Sequence, residues 1–234
     1  MYSDIFCKVY NEFGWNYYPE AFGQQLLAWL EEQNIAVKSA MDLACGTGIL
    51  CELLHEKGIK AAGMDFSPGM IDIARKSNPD IPYDVADMIT YCPERKFDLV
   101  TCTGDALNHI LNPEDVETIF GNVFRYLNSG GYFIFDILNE EEANPGEPFE
   151  LDFSDTIRAT FQITGEENLI HLNTVVYENG QEQFREVITE IVHDPDMICQ
   201  MLARQGFRII RRDNSLSGKA ENRGTTWYII AQKP

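Results

Sequence analysis

The sequence predicts an α/β protein built on a parallel sheet with helices on both faces. Three observations carry this. Apolar strand-like runs alternate with helical patterns from residue 40 to residue 138. Helix starts carry a cap-plus-proline signature at Ser67-Pro68 and Asn112-Pro113. A glycine-rich turn, Ala44-Cys45-Gly46-Thr47-Gly48, joins the first strand to the first helix. Strand–helix alternation at this spacing means βαβ units, whose sheet is buried on both sides.

Residues 40–43 form a short apolar strand, and residues 49–57 a helix with Leu50, Leu53 and Leu54 on one face. Residues 60–64 read as the second strand. Ser67 then caps a helix with Pro68 at its first position and Met70, Ile71 and Ala74 on its apolar face. Residues 82–86 are a weak strand and 97–102 a strong one. Asn112-Pro113 opens a helix through Val116, Ile119, Val123 and Leu127, and residues 131–138 are a fifth strand rich in aromatic residues.

The rhythm changes at residue 139. An acidic loop with Pro145, Gly146 and Pro148 leads into three β-rich runs, 151–164, 169–177 and 183–193, separated by hairpin signals and no helix. This predicts an antiparallel meander inserted after the fifth strand. A helix over 195–205 follows, stopped by Gly206. Two last strands, 207–211 and 226–231, are joined by a polar loop too short for a crossover helix, so the last strand runs antiparallel to its neighbour.

The chain has 234 residues, 44% of them hydrophobic, which suits one domain with a substantial core. No apolar run approaches a membrane span, and the N-terminus lacks the order of a secretory signal. A formal net charge of −19 argues against nucleic acid or an anionic membrane surface as partner. The six cysteines form no C-x-x-C pair, and their mostly apolar surroundings predict reduced buried thiols and a cytoplasmic protein. The four histidines are scattered, and no metal site is expected.

The chemistry concentrates in Met41-Asp42-Leu43-Ala44-Cys45-Gly46-Thr47-Gly48. Such a turn brings backbone close to a ligand at a helix N-terminus. No lysine follows the glycines, so it is not a triphosphate loop, and Cys51 stands where a dinucleotide loop has its third glycine. Asp42 would repel a pyrophosphate but attract a cation. Asp65 ends the second strand, where a carboxylate can accept both hydroxyls of a ribose.

These motifs, with Val85-Ala86-Asp87-Met88 and Phe97-Asp98-Leu99-Val100-Thr101-Cys102, resemble the class I S-adenosylmethionine-dependent methyltransferases, in particular small-molecule members such as the sugar-amine and glycine N-methyltransferases. The resemblance covers nearly the whole chain. It implies a Rossmann-like seven-stranded sheet with the last strand antiparallel. Residues 1–36 would fold over the cofactor, 37–138 and 194–234 would form the core, and 139–193 would be a lid over the acceptor. Asp42, Ala44 and Gly46 would line the methionine half of S-adenosyl-L-methionine, Gly48 would permit the turn, and Asp65 would hold the ribose. Phe66 and Met70 would flank the adenine, with Asp87 and Met88 at its edge. Cys102 and Thr103 would face the sulfonium.

The aromatic N-terminus offers Tyr10, Tyr17 and Tyr18, whose hydroxyls could reach the methionine carboxylate. Arg158, His171 and Arg185 lie in the meander, more readily on a solvated face than at a ligand. Asp105 and His109 are four apart and follow the fourth strand, so on a helix they share a face. His109 is the candidate base, with Asp105 supporting it and a pH limb near 6–7. The expected activity is methyl transfer to a small-molecule acceptor, most readily an amine, by a monomer or homodimer. A non-catalytic S-adenosylmethionine-binding regulator and a nicotinamide-dependent oxidoreductase stay open as alternatives.

Overall fold

The computed structural model describes residues 7, 10–11, 15–139, 146–166, 168–216 and 226–234. Tyr2, Phe6, Phe13, Pro145 and most of the polar loop before the last strand lie outside them. The elements are α1 (Tyr17–Glu32), β1 (Ser39–Leu43), α2 (Ile49–Glu56), β2 (Lys60–Asp65), α3 (Pro68–Ser77), β3 (Tyr83–Val85), β4 (Phe97–Cys102), a 3₁₀ turn (Ala106–His109), α4 (Pro113–Tyr126) and β5 (Leu127–Leu138). There follow β6 (Phe149–Asp152), β7 (Ile157–Glu166), β8 (Leu169–Glu178), β9 (Gln181–Ile191), α5 (Pro195–Arg204), β10 (Arg208–Asp213) and β11 (Thr226–Gln232). No described helix is long and apolar enough to cross a membrane.

One sheet has seven strands in the order β10-β11-β5-β4-β1-β2-β3. The β1–β5 pairings are parallel, and β11 runs antiparallel to both β5 and β10. The order reverses beside β1, which pairs with β2 on one side and β4 on the other. That reversal opens the crevice in which α/β sheets bind ligands.

The helix starts obey their capping residues. Ser67 Oγ accepts from the Met70 amide at 3.4 Å, and Asn112 Oδ1 accepts from Glu114 at 3.1 Å. Asp194 does the same for α5, accepting from Asp196 at 2.8 Å ahead of Pro195. Each such cap is worth about 1 kcal/mol.

Strand alternation divides the core between two faces. Met41, Leu43, Val100, Cys102, Phe133 and Phe135 pack with α4 and α5. Ala40, Leu99 and Ile134 pack with α1 and α2. On this second face, near the carboxyl ends of adjacent strands, stand three buried polar residues: Asp42, Thr101 and Asp136. The pleat fixes which side chains can reach the crevice and which cannot.

The expected meander is present as a separate sheet, β6-β7-β8-β9, wholly antiparallel. It has four strands rather than three, because the first run breaks at Ser154. There the Ser154 hydroxyl accepts from the Thr156 and Ile157 amides at 3.3 and 3.0 Å, a side-chain turn that needs no glycine or proline. The β8–β9 hairpin turns through Asn179 and Gly180, with φ of 51° and 77°, as a two-residue type I′ loop requires.

Candidate active site

A cavity of about 740 Å³ lies at the carboxyl ends of β1, β2 and β4, within the range of small-molecule and cofactor sites. Its floor is the loop after β1. Ala44, Gly46 and Gly48 have φ of 54°, 54° and 87°, the left-handed region, and this coils the chain so that amides face the crevice. A Cβ placed on Gly46 would meet nothing within 4 Å, so its backbone borders open space. A Cβ on Gly48 would lie 2.6 Å from the Tyr83 hydroxyl. Gly48 therefore serves the turn at the start of α2 and does not line the cavity.

Asp65 anchors this loop. Its two oxygens accept from the Gly46 amide at 2.9 Å and the Ser67 amide at 2.8 Å. Burial raises its pKa, and these amides partly offset the rise. The carboxylate also borders the cavity, so it keeps acceptor capacity for a ligand. Asp42 is almost wholly buried and accepts from Thr101 Oγ1 at 2.6 Å. Burial is the main reason its pKa is pushed up to about 7, and the nearby carboxylates of Asp65 and Asp136 push the same way. A cation beside it would reverse both effects.

Phe66, half exposed at 53%, borders the opening; it is not core. Met70 is fully buried yet contributes to the lining. Asp87 and Met88 line the cavity, and Asp87 Oδ1 also accepts from the Ile89 amide at 2.9 Å. Thr103 faces the cavity. Cys102 does not: the pleat of β4 turns it into the core against α4, and this corrects the expectation for that residue.

Asp136 is a residue that the sequence reading missed. It is fully buried on β5 and accepts from the Gly104 and Asp105 amides at 3.0 and 2.9 Å. It also accepts from the Tyr18 hydroxyl, whose oxygen lies 3.3 Å from that of Tyr228. Asp136 thus ties α1 and the loop after β4 into one wall. Tyr18 lines the cavity with its ring, but its proton goes to Asp136, which replaces the expectation that it reaches a ligand carboxylate. Tyr17 points to solvent at 73% exposure. Tyr10 and Trp15 line the cavity together, with ring centroids 5.4 Å apart, and Trp15 packs edge-on against Phe161 of β7.

The far end of the cavity holds Asp105 and His109, on a 3₁₀ turn rather than an α-helix. His109 Nε2 lies 3.6 Å from Glu190 Oε1 of β9, and one ligating atom from each of Asp105, His109 and Glu190 lies within 4.8 Å of the others. Glu190 and Glu186 were not legible as site residues; they come in from the meander. Burial pulls the His109 pKa down to about 4, so the imidazole is neutral at neutral pH and no limb at 6–7 belongs to it. Arg158 and Arg185 pair with Asp152 and Glu182 on exposed strand faces, and His171 contacts Thr189; none of the three lines the cavity.

Residues 40–131 match the family described as a methyltransferase domain. The matched stretch runs from β1 to the start of β5 and carries Asp42, Asp65 and Asp87. The protein YqeM of Bacillus subtilis (strain 168) is 29% identical over 217 residues, covering 88% of this chain and 86% of that one. A dTDP-4-amino-2,3,4,6-tetradeoxy-D-glucose N,N-dimethyltransferase of Saccharopolyspora spinosa is 24% identical over 135 residues, 58% of this chain and 53% of that protein. Among solved structures, an S-adenosylmethionine-dependent methyltransferase from Clostridium acetobutylicum aligns with a TM-score of 0.80 at 24% identity, over 90% of this chain and 89% of its own. DesVI from Streptomyces venezuelae aligns at 0.81 and 18% identity, over 97% and 98%. These two likenesses establish the fold of the methyltransferase domain together with its added small sheet.

The site suits the cofactor. Two buried carboxylates face the cavity, no lysine or arginine is among its described lining residues, and the loop between them presents open backbone at Gly46. A ligand that carries a sulfonium and an ammonium would set positive charge beside these carboxylates.

Proposed function

We propose that this chain methylates the nitrogen of a small-molecule amine. The observation that carries the reading is the single cavity that runs from Asp42 and Asp65 to His109 and β9: it has room for an acceptor beyond the cofactor end. A non-catalytic sensor has no need of that second compartment. Relatives named for amino-sugar N,N-dimethylation support the amine.

Asp42, Ala44, Gly46 and Thr103 would hold the methionine part of the cofactor and Asp65 its ribose, with Phe66, Met70, Asp87 and Met88 around the adenine. When bound, S-adenosylmethionine supplies an electrophilic methyl group. The chain contributes approach geometry and exclusion of water. Asp136 positions Tyr18 and the backbone at Gly104 and Asp105. His109, neutral at rest with its Nε2 3.6 Å from Glu190, would pass the proton that the acceptor nitrogen loses on to solvent rather than hold it. The sheet β6–β9 acts as the acceptor wall through Glu186–Thr189. Residues 151–193 would then be dispensable for cofactor binding. The buried thiols of Cys45, Cys51 and Cys102 suit a reducing compartment, the cytoplasm.

The test is calorimetry with S-adenosylhomocysteine, followed by incubation with methyl-labelled S-adenosylmethionine and a panel of amines, hydroxy compounds and carboxylates. Cofactor binding with label entering an amine supports the reading. Binding without transfer to any acceptor favours the sensor, and preferential binding of a nicotinamide dinucleotide removes the methyltransferase assignment.

A further inference from the structure

We infer that Asn108 is a positioning residue for methyl transfer. Its buried carboxamide joins the strand that enters the inserted sheet to the strand that leaves it, and so sets where the acceptor wall stands. This rests on the proposed role of β6–β9 as that wall.

Among the described residues, no strand of the inserted sheet pairs with a strand of the core sheet. The chain leaves the core after Leu138, the last residue of β5, and returns after Ile191, the last residue of β9. The 3₁₀ turn meets both points. Asn108, in that turn, is wholly buried. Its Nδ2 donates to the Ile191 carbonyl at 2.6 Å, and its Oδ1 accepts from the Leu138 amide at 3.1 Å. One side chain therefore holds both ends of the insertion.

His193 adds a second tie at the return. It is buried, and its Nε2 lies 3.1 Å from the Leu107 carbonyl. A carbonyl only accepts, so Nε2 carries the proton and donates. Burial lowers the His193 pKa, which keeps the ring neutral at neutral pH. Leu138, Ile170 and Val192 pack together at the same junction. Such apolar contact is non-directional and fixes no angle between the sheets. The hydrogen bonds are directional, and a satisfied buried polar group specifies one arrangement.

The groups held this way border the cavity. Leu138 lines it from β5, Ala106 and His109 from the turn, and Ile188 and Thr189 from β9, whereas Asn108 itself does not. Asn108 therefore acts through its neighbours. In an in-line transfer the accepting atom has a narrow approach, and a displacement of about 1 Å can lower the rate about a hundredfold. The side-chain hydrogen bonds of Asn108 go to β5 and β9, away from the loop after β1. A wall displaced by their loss should lower the rate before it weakens the cofactor.

The experiment compares the full chain with Asn108→Asp, His193→Leu and His193→Gln. Aspartate keeps an acceptor for the Leu138 amide and loses the donor to Ile191. Glutamine at 193 offers an Nε2 donor where the imidazole had one, and leucine offers none. Calorimetry with S-adenosylhomocysteine gives the affinity and the number of binding sites. Turnover of methyl-labelled S-adenosylmethionine with the amine that takes up label in the parent is then expressed per binding site. Asn108→Asp and His193→Leu should lower kcat at least about tenfold, with S-adenosylhomocysteine affinity within about threefold of the parent. His193→Gln should recover most of that loss. Hydrogen–deuterium exchange should rise in residues 105–110 and 186–191 together in Asn108→Asp, with residues 40–43 and 60–65 unchanged. The inference is overturned by a kcat per site within about threefold of the parent in Asn108→Asp and His193→Leu. Equal losses in His193→Gln and His193→Leu, cofactor affinity that falls in step with kcat, or faster exchange at Leu138 alone would also overturn it. If Asn108→Asp does not fold, the two His193 variants carry the same comparison. A parent that labels no amine overturns the amine reading, and the exchange measurement then decides separately whether Asn108 couples the turn to the wall.

Discussion

Replacing Asp42 by asparagine separates its cost to the fold from its service to the cofactor. The side chain is 3% exposed, and burial holds its pKa near 7, against 3.8 for a free carboxyl. Because the folded-state value is raised, the folded protein binds more protons than the unfolded chain between these limits. Stability from this group is full below pH 3.8, falls as pH rises and levels off above about 7. A shift of about three units corresponds to about 4 kcal/mol at neutral pH. Asparagine keeps an oxygen for the Thr101 hydroxyl, which donates at 2.6 Å in the parent, and removes the charge. His109 and His193, whose pKa values are lowered, titrate with the opposite slope in the same window, so the informative quantity is the difference between the two proteins. Urea denaturation without ligand should show Asp42→Asn equal to the parent near pH 4 and more stable by a few kcal/mol at pH 8. Calorimetry should show the reverse for S-adenosylmethionine: at least a tenfold loss of affinity, with a smaller loss for S-adenosylhomocysteine, which keeps the ammonium but lacks the sulfonium charge. A variant no more stable than the parent at pH 8, or one that binds S-adenosylmethionine as tightly, would refute the argument that this carboxylate is held for a cation.

Asp65→Ala should lower S-adenosylhomocysteine affinity at least tenfold in calorimetry, because it removes the proposed ribose acceptor and leaves the Gly46 amide without its carboxylate. His109→Ala should cut turnover by at least about a hundredfold with cofactor affinity nearly intact. In the parent, no acid limb should appear between pH 6 and 7, because the imidazole titrates near 4; a limb at 6–7 that vanishes in the variant would show the ring to be more solvated. Gly48→Ala should destabilise the chain by about 1–3 kcal/mol in urea denaturation, since it forces a side chain to φ 87° and into the Tyr83 hydroxyl.

The parallel core was legible because its signals are local. Ser67 and Asn112 cap helices whatever surrounds them, and the apolar run Phe97–Cys102 has one plausible conformation. Asp42 and Asp65 stood out because a carboxylate at the end of a buried strand needs a reason. The same argument applied to Asp136, in the run Tyr132-Phe133-Ile134-Phe135-Asp136, and would have found it. Cys102 was misplaced by one step of the pleat, which motif matching does not resolve. Glu186 and Glu190 were illegible for a different reason. They stand in the mixed run Arg185-Glu186-Val187-Ile188-Thr189-Glu190, which has no clean polar–apolar alternation, and only the docking of β9 beside the 3₁₀ turn shows which face is inward. The extra strand of the meander escaped because its turn is made by a serine side chain.

The most direct test of the account is a double measurement in one tube. Methyl-labelled S-adenosylmethionine is incubated with the chain and the amine that binds best, and S-adenosylhomocysteine and labelled amine are quantified together. The account predicts equal amounts of the two products, both lost in Asp42→Asn at low cofactor concentration. Cofactor that binds at the loop after β1 but yields no labelled amine with any amine tried would contradict it.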